Sequence, residues 1–328
     1  MRRRRVLKSG LLLAGSAIAG SAAVMSGFAR SGRTAPAFTG IDGWINTGTP
    51  ISLAGLRGKL VLVNFWTYSC INSRRPMRYL KRWQAAYGPL GLQIIGVHTP
   101  EFRFEHDRRN VEAYVREEAI QYPVAQDNEF QTWDAWENAA WPGFYLVDRE
   151  GRIVLSREGE DHAREIEVAI RGLLGLPAIG TVGQPGDDPD LSRIGTPEMY
   201  FGAKHPTPQD RRQSPQTGEA RYSFAQAKDP GPGQYSLDGV WSREGEQLVL
   251  RSGPGGLRLR FSAADLYMVA AAPETAKVRV RVDGREMPAV AVSWPTLYTL
   301  VNSEAYGEHL LELEIDRPGI TLFSATFG

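Results

Sequence analysis

Cys70 is the one cysteine among 328 residues. It closes an apolar segment, Leu60-Val61-Leu62-Val63-Asn64-Phe65-Trp66, at the point where a helix should begin. A thiol there faces unpaired backbone N–H groups and the positive end of the helix dipole. Both favour the thiolate, which is the nucleophilic form. Arg74 and Arg75, one turn further on, would add to that field if their side chains face the sulfur. His98 and Glu101 follow a second apolar segment and would sit on the same sheet edge, where either could carry a proton to or from Cys70. Loop packing is the other reading of that pair. One cysteine excludes an intramolecular disulfide, a Cys-rich zinc site and an iron–sulfur centre within one chain. The five histidines are scattered without metal-ligand spacing, so no metal is expected. No cofactor is expected either. Gly253-Pro254-Gly255-Gly256 lacks the lysine and the helix of a phosphate loop and reads as a turn.

The elements that must position these groups follow from periodicity. Residues 60–66 are apolar throughout, as in a strand buried on both faces. From Cys70, residues Met77, Leu80, Trp83 and Tyr87 recur at helical spacing, and Gly88-Pro89 ends the helix. Leu92 to Val97 is a second buried strand, Asp107 to Ile120 a helix, and Tyr122 to Ala125 a short third strand. Asp127 can cap a helix carrying Phe130, Trp133 and Trp136. Phe144 to Val147 and Arg152 to Leu155 form a hairpin, and a last helix carries Ile166, Ile170 and Leu173. This order implies an α/β sheet with helices on both faces over residues 36–176.

Residues 177–235 hold 9 Pro and 8 Gly with little apolar periodicity, which reads as a linker. Residues 236–328 alternate apolar and charged positions, as in Val278-Arg279-Val280-Arg281-Val282 and Leu311-Glu312-Leu313-Glu314-Ile315. About eight half-buried antiparallel strands of this kind predict an all-β sandwich, jelly-roll-like. Such modules often bind carbohydrate through exposed aromatics, and Trp241, Tyr267, Trp294 and Tyr298 are the candidates for a cell-wall glycan. Core packing is the alternative for all four.

The N-terminus reads Arg3-Arg4-Arg5-Val6-Leu7-Lys8, followed by a weakly apolar, small-residue run to Met25. It resembles a twin-arginine export signal over residues 1–30. The rest of the chain has no window of 18 apolar residues, so no further membrane segment is expected. Beyond residue 30 the chain carries 32 Lys and Arg against 37 Asp and Glu, a net charge of −5. A mildly acidic chain without a basic run excludes nucleic acid as a partner. The compartment expected is the periplasm or cell exterior.

Val63 to Ser73, Gly96-Val97-His98-Thr99-Pro100-Glu101-Phe102 and Trp141 to Asp148 resemble the thioredoxin/redoxin superfamily. Within it they are most similar to the periplasmic thioredoxin-like part of DipZ-type proteins. Gly195 to Gly202 and the ending Ala325-Thr326-Phe327-Gly328 resemble the C-terminal module of the same proteins. The resemblance implies a thioredoxin fold and a Trp-x-x-x-Cys-x-x-Cys motif. Trp66 and Cys70 match that motif, and Ser73 replaces its second cysteine. Pro142 takes the place of the family's cis-proline, which would offer the Trp141 backbone to an extended substrate. Asn64 stands where relatives bury an acid.

These residues point to an exported monothiol thiol–disulfide oxidoreductase acting on protein or small-molecule disulfides. Ser73 could hydrogen-bond a Cys70 thiolate but cannot release a mixed disulfide, so an external thiol must do so. Two other readings compete. Thr67-Tyr68-Ser69-Cys70 echoes the Thr-x-x-Cys of peroxiredoxins and would allow peroxide reduction through a sulfenic acid, although Val63 replaces the proline expected before that threonine. A non-enzymatic envelope-binding protein with a degenerate redox domain is the third.

Overall fold

A computed structural model describes residues 32–177, 189–205, 207–210, 212–213, 217–227, 229–303 and 305–328. The export-signal reading of residues 1–30 lies outside the described residues. The first body is a six-stranded sheet. Its strands are β1 (Gly43–Ile45), β2 (Leu60–Trp66), β3 (Leu92–His98), β4 (Val124–Gln126), β5 (Gly143–Val147) and β6 (Ile153–Glu158). They lie in the order β1-β4-β3-β2-β5-β6. β2, β3 and β4 run parallel, while β1, β5 and β6 are antiparallel to their neighbours.

The continuous apolar run of β2 has its physical reason in two separate cores. Leu60, Leu62 and Trp66 face α1 (Ile71–Tyr87), α2 (Arg108–Glu117) and α4 (Ala163–Leu173). Val61, Val63 and Phe65 face the other way, onto Trp133 of α3 (Gln131–Ala135) and Trp136. Asp127 is not the N-cap of α3, which is Phe130, but from three residues earlier its carboxylate accepts from the Thr132 and Trp133 backbone N–H groups of the first turn at 3.1 and 2.8 Å. The α/β architecture read from the periodicity is observed, and so is the thioredoxin fold that the resemblance implies. The antiparallel edge strand β1 was missing from that reading, because three residues are too few to carry a pattern.

The second body is all β. Ten strands form one hydrogen-bonded sheet: β7 (Met199–Tyr200), β8 (Gly218–Tyr222), β9 (Tyr235–Arg243), β10 (Leu248–Ala263), β11 (Leu266–Ala271), β12 (Ala276–Val282), β13 (Arg285–Val292), β14 (Thr296–Val301), β15 (Gly307–Ile315) and β16 (Thr321–Phe327). The sixteen-residue β10 joins its two halves. It pairs with β16 at Leu248–Val249 and with β15 from Gly255 onward. Between these stretches the register against β9 shifts around Ser252. Gly253 there has φ 63, a conformation that glycine adopts without steric penalty. The core holds the alternating residues expected, among them Leu257, Leu259, Phe261, Val278, Val280, Leu311 and Leu313.

Two sequence readings are corrected. The span 177–235 is not all linker: β8 pairs with β9, and β7 pairs with β16. Strands that short and glycine-flanked show no periodicity of their own. The aromatics proposed for glycan contact turn inward. Trp241 is fully buried, and Tyr298 packs against the β core. Trp294 stacks on Tyr68 of the first body, and Tyr267 lies under the Arg75 guanidinium. Among the described residues no helix is long and apolar enough to cross a membrane, and no cluster of His, Cys, Asp or Glu is placed to hold a metal.

Leu62 is fully buried in β2, whereas Leu90 is 51% exposed. Leu62→Ala should therefore lower unfolding stability by about 2–5 kcal/mol. Leu90→Ala should stay within about 0.5 kcal/mol of the parent. Denaturant titration of both variants checks the contrast.

Candidate active site

Cys70 is the N-cap residue of α1, with φ −87 and ψ 122, and α1 starts at once behind it. The Ser73 and Arg74 backbone N–H groups donate to the Cys70 carbonyl, each at 3.1 Å. The helix start is thus where the sequence placed it. The thiol's surroundings are different. Cys70 is only 7% exposed. Burial pushes its thiol well above the usual range, and the Glu101 and Glu198 carboxyls push it further. The Ser73 and Asn72 N–H groups pull the other way and are outweighed. Burial therefore opposes the thiolate that the helix start favours. Arg74 and Arg75 do not compensate. Arg74 donates to the Tyr68 carbonyl at 2.6 Å and to Thr296 Oγ1 at 2.6 Å. Arg75 pairs with Glu160 at 2.8 Å and donates to the Phe327 carbonyl.

The cover over Cys70 is the β body. Ile71 and Phe102 form one apolar cluster with Val269, Leu297 and Phe323. The Tyr68 hydroxyl donates to the Pro295 carbonyl at 3.2 Å, and the Arg103 backbone N–H donates to Glu246 at 2.9 Å. The Tyr200 hydroxyl donates to Glu101 at 2.6 Å and is also hydrogen-bonded to Glu198. Burial and the neighbouring Glu198 and Glu105 carboxyls hold Glu101 well above the usual carboxylate range. Burial likewise pushes Glu198 up to about 7. Glu198 and Tyr200 of the β body thus meet Glu101 of the redox domain, and both carboxyls act on Cys70.

The remaining residues singled out from the sequence fall into place around this centre. Ser73 is buried, and its hydroxyl accepts from the Thr67 N–H at 3.3 Å. Pro142 follows Trp141 through a cis peptide bond. Trp141 donates through its ring N–H to the Thr99 carbonyl at 3.0 Å and packs 4.5 Å from Trp133. Trp66 is fully buried against His98 and Tyr114, so it shapes the core beneath the site and does not meet substrate. His98 is fully buried too. Burial lowers it to about 3, which leaves it neutral and removes it as a proton carrier at physiological pH. Glu101 stays at the site. Asn64, in the place of the family's buried acid, donates to the Gly143 carbonyl at 3.3 Å.

Sequence reasoning missed three residues. Glu198 and Tyr200 belong to a segment noted only for its resemblance, and nothing local signals that they meet Glu101 beside Cys70. Glu105 is the third. Fully buried, it accepts from Ser69 N–H at 3.1 Å and Ser69 O–H at 2.6 Å through one oxygen. Its other oxygen accepts from the Glu101 and Phe102 N–H groups at 2.6 and 2.9 Å. One carboxylate therefore ties the loop that ends in Cys70 to the loop that carries Glu101.

Residues 31–156 match the AhpC/TSA family, and residues 196–328 match the family described as the thioredoxin-like C-terminal domain. The first match falls on the α/β body and the second on the all-β body. It is 33% identical to the DipZ proteins of Mycobacterium tuberculosis and Mycobacterium bovis over 302 residues, or 90% of its own length. It spans 43% of the length of those relatives. The thiol-disulfide oxidoreductase ResA of Bacillus subtilis is 26% identical over 158 residues, covering 47% of this chain and 84% of ResA. Among solved structures, a thiol-disulfide isomerase from Corynebacterium glutamicum aligns at 24% identity and a TM-score of 0.38, over 44% of this chain and 98% of that one. The chain is a thioredoxin-fold protein similar to thiol-disulfide oxidoreductases, as the motifs around Cys70 implied.

Two outcomes follow from these contacts. Glu105→Ala leaves buried donors on both loops without an acceptor and should destabilise the fold by at least about 2 kcal/mol. Glu105→Gln, which keeps one accepting oxygen, should recover part of that loss in a denaturant titration. Glu198 holds its proton to about pH 7 in the fold, against 4.5 as its ordinary value. Its contribution to stability is complete below the ordinary value and is lost as pH rises through about 7. Denaturation midpoints measured from about pH 5 to about pH 8 should therefore fall less steeply in Glu198→Gln than in the parent. Equal slopes would assign the effect elsewhere.

Proposed function

We propose that this chain is an exported monothiol thiol–disulfide oxidoreductase with Cys70 as its nucleophile. The observation that carries the reading is Cys70 at the N-cap of α1, with Ser73 in the place of a resolving cysteine and the cis Trp141-Pro142 bond in the same domain. The match to the AhpC/TSA family and the similarity to ResA and DipZ support it. Export is supported by the twin-arginine-like N-terminus.

In the first step Cys70 gives up its proton and attacks one sulfur of a disulfide RS–SR. The S–S bond breaks, a Cys70–S–SR bond forms, and the departing sulfur leaves as RSH with one proton. Glu101, protonated at rest, donates its proton to the leaving thiolate and takes up the Cys70 proton in its place. In the second step an external thiol attacks the mixed disulfide and restores Cys70–SH. Ser73 cannot perform that step, since a hydroxyl forms no disulfide. The β body covers Cys70 at rest, so the thiolate forms as this cover shifts or as the substrate enters.

A peroxidase reading finds less support. It calls for cationic stabilisation beside the sulfur, and the Arg74 and Arg75 guanidinia are engaged with Tyr68, Thr296 and Glu160 instead. The aromatics considered for glycan contact are held in the β core or against the redox domain, so the C-terminal body is read as the closing half of the redox site.

Reaction with stoichiometric 5,5′-dithiobis(2-nitrobenzoate), followed to completion, separates the roles of Cys70 and Ser73. The parent should release one equivalent of aromatic thiolate and keep the other as a Cys70 adduct. Cys70→Ala should release none. Ser73→Cys should release two, because its new thiol displaces the adduct and closes a 70–73 disulfide. Retention of a stable adduct by Ser73→Cys would sink the proposed placement of residue 73.

A further inference from the structure

The docked β body changes what can reach Cys70. A folded protein disulfide would have to lie along the edge beside Trp141-Pro142. That approach is occupied by Tyr200, hydrogen-bonded to Glu101, and by Glu246, which accepts from the Arg103 backbone N–H. Beside these residues, between the two bodies, lies a cavity of about 440 Å³ that Cys70 itself does not line, with Glu101 between the cavity and the thiol. Its size is in the range of about 300–1,000 Å³ that holds a small molecule. Glu101, one of the two carboxyls that act on Cys70, lines it, and so does Trp141.

The lining is chemically divided. Phe102, Phe130 and Trp141 supply an apolar wall from the redox domain. Lys204 and His205 place basic groups on the β-body side, and both are exposed to solvent. Glu246 supplies an acid held in place by its bond to the Arg103 N–H. A bound molecule would meet apolar contact for its CH₂–S groups, a cationic partner for a carboxylate, and an anionic partner for an ammonium.

We propose that this cavity binds a low-molecular-weight disulfide of amino-acid type, with carboxylate and ammonium groups flanking the sulfurs, and presents it to Cys70. The proposal rests on the oxidoreductase reading and names its substrate class. Chemically, the bound RS–SR exchanges with Cys70–SH to give Cys70–S–SR and RSH, with the Cys70 proton passing to the departing sulfur. Charge complementarity at the rim gives selectivity more than raw affinity.

The test offers the reduced full-length chain three disulfides: cystine, the uncharged 2-hydroxyethyl disulfide, and the disulfides of insulin. Adduct formation at Cys70 is followed by mass spectrometry after an acid quench. Cystine should react about ten-fold faster than insulin. Lys204→Gln and Glu246→Gln should each lower the ratio of the cystine rate to the 2-hydroxyethyl disulfide rate by about five-fold. Insulin reacting as fast as cystine, or an unchanged ratio in both variants, overturns the proposal. If none of the three modifies Cys70, the oxidoreductase reading fails by itself. Titration calorimetry of cystine into full-length Cys70→Ala then decides the cavity alone. Saturable binding weakened by Lys204→Gln supports it, and no binding overturns it.

Discussion

The docking of the β body over the start of α1 governs the chemistry of this protein. Tyr68 stacks on Trp294 and bonds to the Pro295 carbonyl, while Arg74 reaches Thr296. Ile71 and Phe102 complete an apolar seal with Leu297 and Phe323. Once water is excluded, the helix N-terminus no longer decides the protonation of Cys70. A helix dipole contributes about 0.3–2 kcal/mol. Full burial of an ionisable group can shift it by up to about 3–5 pH units, at roughly 1.4 kcal/mol per unit. Desolvation wins, and the two nearby carboxyls act in the same direction.

The same docking makes the site composite. Glu101 comes from the redox domain, Glu198 and Tyr200 from the segment that opens the β body, and the tyrosine hydroxyl bonds to both carboxyls. Two acids beside one thiol cannot both ionise without strong mutual repulsion, so the cluster retains protons near neutral pH. Glu105 makes this geometry durable. By accepting from both the Ser69 and the Glu101–Phe102 loops, it fixes the redox-domain side of the cleft, holding the Cys70 loop against the loop that carries Glu101. The C-terminal domain is then part of the redox site's architecture and not an appendage to it.

Much of this was legible along the chain. The unbroken run 60–66 reads as a doubly buried strand, and α1 behind Cys70 is set by Met77, Leu80, Trp83 and Tyr87. Alternation in 278–282 and 311–315 reads as half-buried sheet because each strand has one polar face. The failures share a cause. β1, β7 and β8 are two to five residues long, too short for a period to emerge. Trp66, matched to the family motif at the site, and His98, a candidate for proton transfer with loop packing as the alternative, are core residues, since position on a strand end does not report what packs above it.

The sequence by itself determined the chemical type of the site. One thiol at a strand–helix junction, with serine three residues on, permits exchange with a disulfide and forbids its intramolecular resolution. Those properties depend on covalent identity and local spacing, which the chain states directly. Tertiary structure alone decided how far burial opposes ionisation of that thiol and which carboxyls stand beside it. Each depends on contacts between residues 70–105 and residues 198–327, more than ninety positions apart. No local pattern encodes the desolvation that such contacts impose.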